Sequence, residues 1–350
     1  MIRPSTMQVW ATPGKRSFMW RGLALASILA LVVTGFLLLQ SAEETPFTTE
    51  RMTFVTNVVP DTTNDEPIEV QATLYIPKAA KFPIPAVVIT PSSSGVEQTR
   101  EVYYARELTK VGAAALIIDS FSSRGLTDSL YDQSVLEQWD VENDAVAGLA
   151  ELVADGRFIP DRIAIMGVSK GGTVAMDTAL KIRRKWMGID NIAFAAHIAI
   201  SPDCTWITRN AQTTGAPILF MLAELDDQTP AKPCVAEALR IKNAGNERVE
   251  TKVYKGAHHA WEELGWWPEH DPEAENYSKC RVWTEDDGKM YSAHTGELLP
   301  EDDWHSWAKE SCMTQGVTCC GGSWSLKRQA TDDIIAFLRR SGILDERPTS

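Results

Sequence analysis

A serine between glycines is the first candidate for chemistry in this sequence. Gly167-Val168-Ser169-Lys170-Gly171 fits the pattern G-x-S-x-G, in which a strand ends in a sharp turn and a helix follows. Residues 162–167 have a strand pattern and residues 172–186 a helical one. Such a turn holds the serine hydroxyl clear of the sheet and places the Lys170 backbone N–H where it can stabilise an oxyanion. The motif predicts a nucleophile, and its alternative is a structural turn serine.

The residues that would activate this serine follow it in the expected order. A serine hydroxyl needs a general base, normally a histidine that a carboxylate orients. In a fold of this kind the acid and then the histidine stand at the carboxyl ends of later strands. "LDDQTP" and "AHHAW" both follow predicted strands. The spacing leaves several candidates open: Asp226, Asp227 or Glu224 as the acid, and His258 or His259 as the base.

Short apolar runs alternate with amphipathic stretches and predict the fold. The apolar runs suit strands buried on both faces of a parallel sheet: residues 85–90, 113–119, 163–167, 194–201 and 217–224. Helical patterns lie between and after them, at residues 97–111, 134–154, 170–186, 231–244 and 329–341. Residues 69–77 alternate at period two and predict an antiparallel lead-in strand. The order predicts a doubly wound α/β fold with a mostly parallel sheet.

Residues 262–325, called the insertion below, interrupt this alternation. They have no clear strand or helix period and are rich in tryptophan and cysteine. A long segment of this kind inside a domain is more often a lid or binding loop than a plain connection. We expect a disulfide-pinned cap before the last helix, and the alternative is a small motif whose tryptophans only pack its core.

The amino-terminal segment predicts export. Residues 1–42 have four basic residues and no acidic one, and the run 22–40 is uncharged. This run approaches the ~20 residues that span a bilayer, which favours an uncleaved membrane anchor over a signal cleaved at Ala42. The basic flank would stay in the cytoplasm, so that residues 43–350 form the predicted α/β domain on the far side of the membrane.

The cysteines agree with an oxidising compartment. All six lie after the amino-terminal segment, and this even number predicts disulfide bonds rather than a metal site. Cys204 and Cys234 each follow shortly after a predicted core strand, which makes them a candidate pair.

Charge and motifs exclude other classes of protein. The formal net charge of −13 and the absence of a basic stripe argue against binding to nucleic acid. No metal-binding motif such as H-E-x-x-H is present, and we expect no cofactor. Nothing in the sequence indicates the oligomeric state.

Four segments together resemble the dienelactone hydrolase family of the α/β-hydrolases. They are "DSFSSRG" (119–125), "DRIAIMGVSKGG" (161–172), "AELDDQTP" (223–230) and "VYKGAHHAW" (253–261). The resemblance implies an α/β-hydrolase fold and hydrolysis of a small carboxylic ester or lactone without a cofactor. It also implies the triad, because the family's acid stands four residues before a turn proline and its histidine precedes a small residue and an aromatic one. These positions are Asp226 and His259, with Ser169 as the nucleophile.

Two departures from the family pattern affect the substrate and the oxyanion site. The founding members use a cysteine nucleophile, so Ser169 places this chain with serine-using relatives and weakens dienelactone as the substrate. Pro91 has no N–H, so we expect the second oxyanion donor to be the backbone of Ser92 or Ser93.

Two further residues are candidates for substrate binding. They are Arg124 and Trp261, and for Arg124 an ion pair that ties down its own loop is the stronger alternative. Peptidase or thioesterase activity would need the same triad. A rival of another class is a catalytically silent envelope protein that binds a ligand or partner through the tryptophan-rich insertion.

Overall fold

An eight-stranded sheet forms the centre of this protein. The computed structural model describes residues 46–56, 67–189, 191–300 and 303–346. The strands are, in chain order, β1 (Phe47–Val55), β2 (Glu69–Pro77), β3 (Ile84–Thr90), β4 (Ala114–Asp119), β5 (Phe158–Val168), β6 (Ala196–Ile200), β7 (Trp206–Thr208), β8 (Ile218–Ala223), β9 (Val249–Tyr254), β10 (Glu269–Asn276), β11 (Val282–Thr284), β12 (Met290–Ser292) and β13 (Thr314–Cys319). In the central sheet their order is β1-β2-β4-β3-β5-β6-β8-β9.

The sheet is mostly parallel, as the sequence predicts. All pairs from β4 to β9 are parallel, whereas β2 pairs antiparallel with both β1 and β4. The apolar run of β3 is buried at every residue, which fits a strand covered on both faces. The predicted lead-in strand is therefore confirmed as β2. Strand β1 was not predicted, because most of its residues are exposed and leave no apolar pattern.

Helices cover both faces of the sheet. They are α1 (Glu101–Lys110), α2 (Gln138–Ala154), α3 (Lys170–Asp177), α4 (Lys181–Trp186), α5 (Ala231–Asn243), α6 (Trp304–Ser311) and α7 (Trp324–Arg340). Helices α1 and α7 share one apolar core with the sheet, and α2, α3 and α5 pack on the opposite face. The carboxyl ends of the parallel strands therefore open between two helical layers, where ligands bind in open α/β sheets.

The single helix predicted over residues 170–186 is wrong in one detail. Leu180 is extended, with φ −76° and ψ 129°, and it forms a bridge with Thr213. This residue separates α3 from α4. The sequence pattern did not reveal the break, because the apolar period continues across it.

The insertion contains regular elements that its sequence did not predict. Strands β10 and β13 pair antiparallel, while β11 pairs with β12 and, in parallel, with β7. Strands β11 and β12 have only three residues, too few to show a period, and the register of β10 shifts between Asp271 and Glu275. Disulfide bonds join Cys280 to Cys312 and Cys319 to Cys320. The predicted pairing of Cys204 with Cys234 is also present.

The prediction of a transmembrane anchor is corrected here. Among residues 46–56, 67–189, 191–300 and 303–346, no helix is long and apolar enough to cross a bilayer. The run 22–40, on which the prediction rested, lies outside these described residues. The structure gives the anchor no support, and we do not retain it.

Candidate active site

Ser169 stands on a strained turn between β5 and α3. Its backbone has φ 57° and ψ −118°, a conformation that residues other than glycine rarely adopt. The backbone N–H of Ser169 donates to the carbonyl oxygen of Ile200, at 2.9 Å, on the neighbouring strand. Strain of this kind persists where the surrounding structure holds it and is common at functional sites.

The glycines around Ser169 are required by close packing. A Cβ atom on Gly167 would lie 2.4 Å from the carbonyl carbon of Gly171, and a Cβ on Gly171 would lie 2.4 Å from the Thr90 carbonyl oxygen. Real Cβ atoms do not come this close to backbone atoms, so α3 can pack against β3 and β5 only without these side chains. The motif thus has a steric reason in addition to its chemical one.

Asp226 and His259 form a buried hydrogen-bonded pair. Oδ2 of Asp226 lies 2.9 Å from Nδ1 of His259, and the two residues are 6% and 5% exposed. Asp226 follows β8 and His259 follows β9, so the carboxyl ends of neighbouring parallel strands bring them together. The acid and the histidine that the resemblance implies are therefore in contact with each other.

Several donors fix the Asp226 carboxylate. Oδ1 accepts the backbone N–H groups of Thr229 (2.7 Å) and Gln228 (3.1 Å), and Oδ2 accepts the hydroxyls of Ser201 and Thr229, both at 2.9 Å. A carboxylate with this many donors is held in one orientation and in its charged form.

The neighbouring candidates for acid and base lie elsewhere. The carboxylate of Asp227 accepts the backbone N–H of Thr318 at 2.9 Å and so holds the insertion against the turn after β8. Nδ1 of His258 is buried and has no hydrogen-bond partner among the described residues. The geometry thus favours Asp226 and His259.

Burial and charge act in opposite directions on this pair. Burial disfavours the imidazolium and by itself would lower the pKa of His259, but the adjacent Asp226 carboxylate outweighs it, so the pKa is raised above 6.5. Burial would likewise raise the pKa of Asp226, yet His259 and the other donors keep it below 3.8. The pair is suited to a histidine that accepts a proton while its partner stays ionised.

A cavity of about 370 Å³ opens beside the candidate nucleophile. Ser169, Lys170 and Ser93 line it, and so does Thr229, whose hydroxyl lies 3.1 Å from Nδ1 of His259. Ser92 is buried and does not line the cavity; its hydroxyl lies 2.9 Å from that of Ser94. Of the two predicted serines in this loop, the structure brings Ser93 to the cavity.

The two predicted substrate-binding residues do not line this cavity. The guanidinium of Arg124 makes two hydrogen bonds, of 2.8 and 3.0 Å, to the buried carboxylate of Asp144 on α2. Trp261 is fully buried in the core, with its ring centroid 5.0 Å from that of Tyr254. Arg124 thus has the ion-pair role that we gave as the alternative, and Trp261 has a packing role.

Sequence reasoning missed a buried charge network behind the site. Arg100, at the start of α1, donates to the hydroxyl of Ser94 (2.8 Å) and to the carbonyl oxygen of Gly95 (3.3 Å), in the loop that follows β3. The same guanidinium pairs with Glu101 (2.8 Å) and lies 3.8 Å from Glu263, four residues after His259. Arg100 therefore connects the serine loop to the histidine loop. An adjacent Arg-Glu pair at a helix start was the available signal, but such pairs are usually exposed.

The sequence also missed how the insertion and core would combine around the cavity. Aromatic side chains from both parts line it: Trp139, Trp186, Trp206, Tyr277, Trp304 and Trp307. The excess of tryptophan in the insertion was visible in the sequence, but the contact of Trp304 with Trp206 of the core depends on the tertiary structure.

The strand order and the serine turn at the end of β5 define an α/β-hydrolase. Residues 70–286 match the model of the dienelactone hydrolase family, and the chain belongs to this family. The resemblance read from the four motifs is thereby confirmed. Membership makes the protein a hydrolase of the α/β-hydrolase type.

Solved structures agree with this fold. Esterase 2 from Thermogutta terrifontis phosphoramylated by tabun has a TM-score of 0.52 and 15% identity, covering 84% of this chain and 97% of its own. The propionate-bound form of the same esterase has a TM-score of 0.51 and 14% identity, covering 85% and 96%. No curated protein matches the chain.

Proposed function

We propose that this protein hydrolyses a carboxylic ester or lactone through an acyl-enzyme on Ser169. The buried hydrogen bond between Asp226 and His259, 2.9 Å long, carries the proposal, because the two residues follow a strained serine turn in the chain order of an α/β-hydrolase triad. The hydrolytic domain is residues 43–350, and the insertion forms part of the cavity wall.

The proposed reaction assigns one step to each residue. The Ser169 hydroxyl attacks the ester carbonyl carbon while Nε2 of His259 takes its proton, which gives a tetrahedral oxyanion. The bond to the alcohol oxygen then breaks, and His259 gives the proton to that oxygen. A water molecule repeats the sequence on the acyl-enzyme, releases the carboxylic acid and restores Ser169. Asp226 holds Nδ1 protonated and stabilises the imidazolium.

Backbone N–H groups would stabilise the oxyanion. Lys170 is the first residue of α3, where helix N–H groups lack partners within the helix. We assign the second donor to the backbone of Ser93, because Ser93 lines the same cavity as Ser169 and Lys170. Two such donors would stabilise the negative charge that the carbonyl oxygen develops only during the reaction.

The disulfide bonds support an oxidising compartment for this activity. All six cysteines are paired, and disulfides of this number are typical of exported proteins. We therefore propose that the hydrolytic domain functions after export.

Intact-mass analysis of the full chain after exposure to a small fluorophosphonate tests the proposal. We expect one adduct on the native protein and none on Ser169→Ala. Ser292→Ala is the matched control, because Ser292 is also a buried serine but does not line the cavity; it should keep the adduct. A folded native protein without any adduct would contradict the proposal.

A further inference from the structure

The apolar wall of the cavity is mainly aromatic. Five tryptophans and one tyrosine line it, against the aliphatic side chains of Ile207, Val282, Met290 and Ala308. Indole rings are flat and rigid, and a pair of aromatic rings gains stabilisation beyond that of the buried area alone. The aromatic lining thus indicates that the group bound in this cavity contains a flat ring.

Several rings of this wall already have neighbours within the protein. The guanidinium of Arg183 lies over the rings of Trp139 (4.8 Å) and Trp186 (5.6 Å). Trp206, Tyr277 and Trp304 form what we call the aromatic subsite, where the imidazole of His305 also packs against Trp304 with the ring centroids 3.5 Å apart. The centroid of Trp304 lies 4.3 Å from that of Trp206 at an interplanar angle of 86°, and 5.9 Å from that of Tyr277.

The aromatic subsite is held in place by polar contacts. Nε1 of Trp206 donates to the hydroxyl of Thr284 at 2.9 Å, so β7 and the insertion fix this ring together. The hydroxyl of Tyr277 donates to Glu275 at 3.0 Å. Rings that are oriented before binding lose little conformational entropy when a ligand arrives.

The charged groups of the wall are satisfied within the protein. His305 lies 2.6 Å from Glu137, and Glu275 also accepts the backbone N–H of Gln133 at 2.8 Å. Asp203 accepts the backbone N–H of Thr205 at 2.7 Å. In the same way Arg183 pairs with Glu142, and the Lys170 ammonium donates to the carbonyl oxygen of Leu136. An ionic substrate would have to compete with these existing partners.

We propose that the substrates are uncharged esters with an aromatic ring that packs against Trp206, Tyr277 and Trp304. This inference rests on the proposed function, since it names the substrate class of the same site. Contacts between aromatic rings add to the effect of buried area, so an aromatic ring should react faster than a saturated ring of similar size.

Matched esters test this substrate class on the full-length protein. The probes are methyl 3-phenylpropanoate, methyl 3-cyclohexylpropanoate and the anionic monomethyl succinate. We expect kcat/KM for the phenyl ester to exceed that for the cyclohexyl ester roughly threefold to tenfold, with the anionic ester the poorest. Equal values for the two rings, or a preference for the anionic ester, would overturn the inference.

Two tryptophans that each begin a helix provide variants. Trp304→Leu, at the start of α6, should reduce the phenyl preference to less than about twofold, whereas Trp304→Phe should restore most of it. Trp324→Leu, at the start of α7, is the matched control, because Trp324 is 60% exposed and does not line the cavity. A preference that survives Trp304→Leu, or that Trp324→Leu lowers equally, would count against the subsite.

The outcomes separate this inference from the proposed function. If the fluorophosphonate labels Ser169 but the phenyl and cyclohexyl esters are hydrolysed at equal rates, only the proposed substrate class is wrong. If Ser169 takes no label and none of the esters is cleaved, the proposed function fails and the substrate class fails with it.

Discussion

Nη2 of Arg100 lies 2.8 Å from the hydroxyl oxygen of Ser94 and so attaches the start of α1 to the loop after β3. Through Glu263, 3.8 Å away, the same buried guanidinium is also connected to the histidine loop. Arg100 thus connects the loop after β3, which contributes Ser93 to the cavity, with the histidine loop.

Arg100→Met should therefore destabilise the fold strongly. The change leaves Glu101, 1% exposed, without its charged partner, and breaking a buried ion pair in this way costs roughly 3–5 kcal/mol in free energy of unfolding. Denaturant unfolding measures it. Arg340→Met is the control: Arg340 pairs with Glu250 at 2.7 Å on the surface, where such a loss is about 1 kcal/mol or less. Equal effects of the two variants would contradict the bracing role.

The variants Asp226→Asn and Asp227→Asn should distinguish the roles of these two adjacent carboxylates in the reaction. Loss of the Asp226 charge stabilises the wrong tautomer of His259, and we expect kcat/KM to fall about 10⁴-fold, as in the serine protease triad. Asp227 instead holds Thr318 of the insertion, so Asp227→Asn should cost activity less than about tenfold. Steady-state kinetics on one ester gives both values. A larger loss in Asp227→Asn would reverse the assignment.

The pH profile should reflect the raised pKa of His259. The proposed base acts only when neutral, so kcat/KM should fall as the pH drops through the pKa of the folded protein, which lies above 6.5. The buried carboxyl of Glu262, whose own pKa burial raises to about 7, contributes negative charge near this imidazole when ionised. Rate measurements from pH 5 to 9 should place the midpoint on the alkaline side of 6.5.

Glu262→Gln provides the test of that charge. Removing it should move the midpoint of the profile to lower pH, because the imidazolium then loses a stabilising neighbour. Glu269→Gln is the control, since Glu269 is exposed on β10 and should leave the midpoint unchanged. A midpoint that stays the same in both variants would show that Glu262 does not act on His259.

Gly171→Ala should damage the serine turn. The new Cβ would lie 2.4 Å from the Thr90 carbonyl oxygen, so that α3 or β3 must shift, at a cost of roughly 1–3 kcal/mol or more. Gly156→Ala is the control, because a Cβ there meets nothing within 4 Å and the backbone needs no positive φ. Thermal unfolding and fluorophosphonate labelling measure stability and site geometry. If Gly171→Ala behaves like Gly156→Ala, the steric argument is wrong.

Local pattern in the sequence was sufficient for the central sheet and the serine turn. Strands β3, β4, β6 and β8 and the second half of β5 are continuous apolar runs, because they are buried on both faces of the sheet. Ser169 was found because its glycines and its neighbouring elements are all local. Strand β1 has no such apolar run, since it lies at the edge of the sheet and is mostly exposed.

The sequence alone determined the fold class, the candidate nucleophile and the short list of acids and bases, because each depends on contacts close along the chain. The family resemblance implied Asp226 as the acid, and the tertiary structure places this carboxylate, rather than that of Asp227, against His259. Only the tertiary structure brought Arg100 to Glu263 and placed Trp304 against Trp206. These contacts join residues that are distant in sequence, and their geometry follows from strand order and from the packing of the insertion. Asp226 and Asp227 are chemically equivalent neighbours in the sequence. In the folded protein the turn directs their side chains differently, so that Asp226 contacts His259 and Asp227 contacts Thr318.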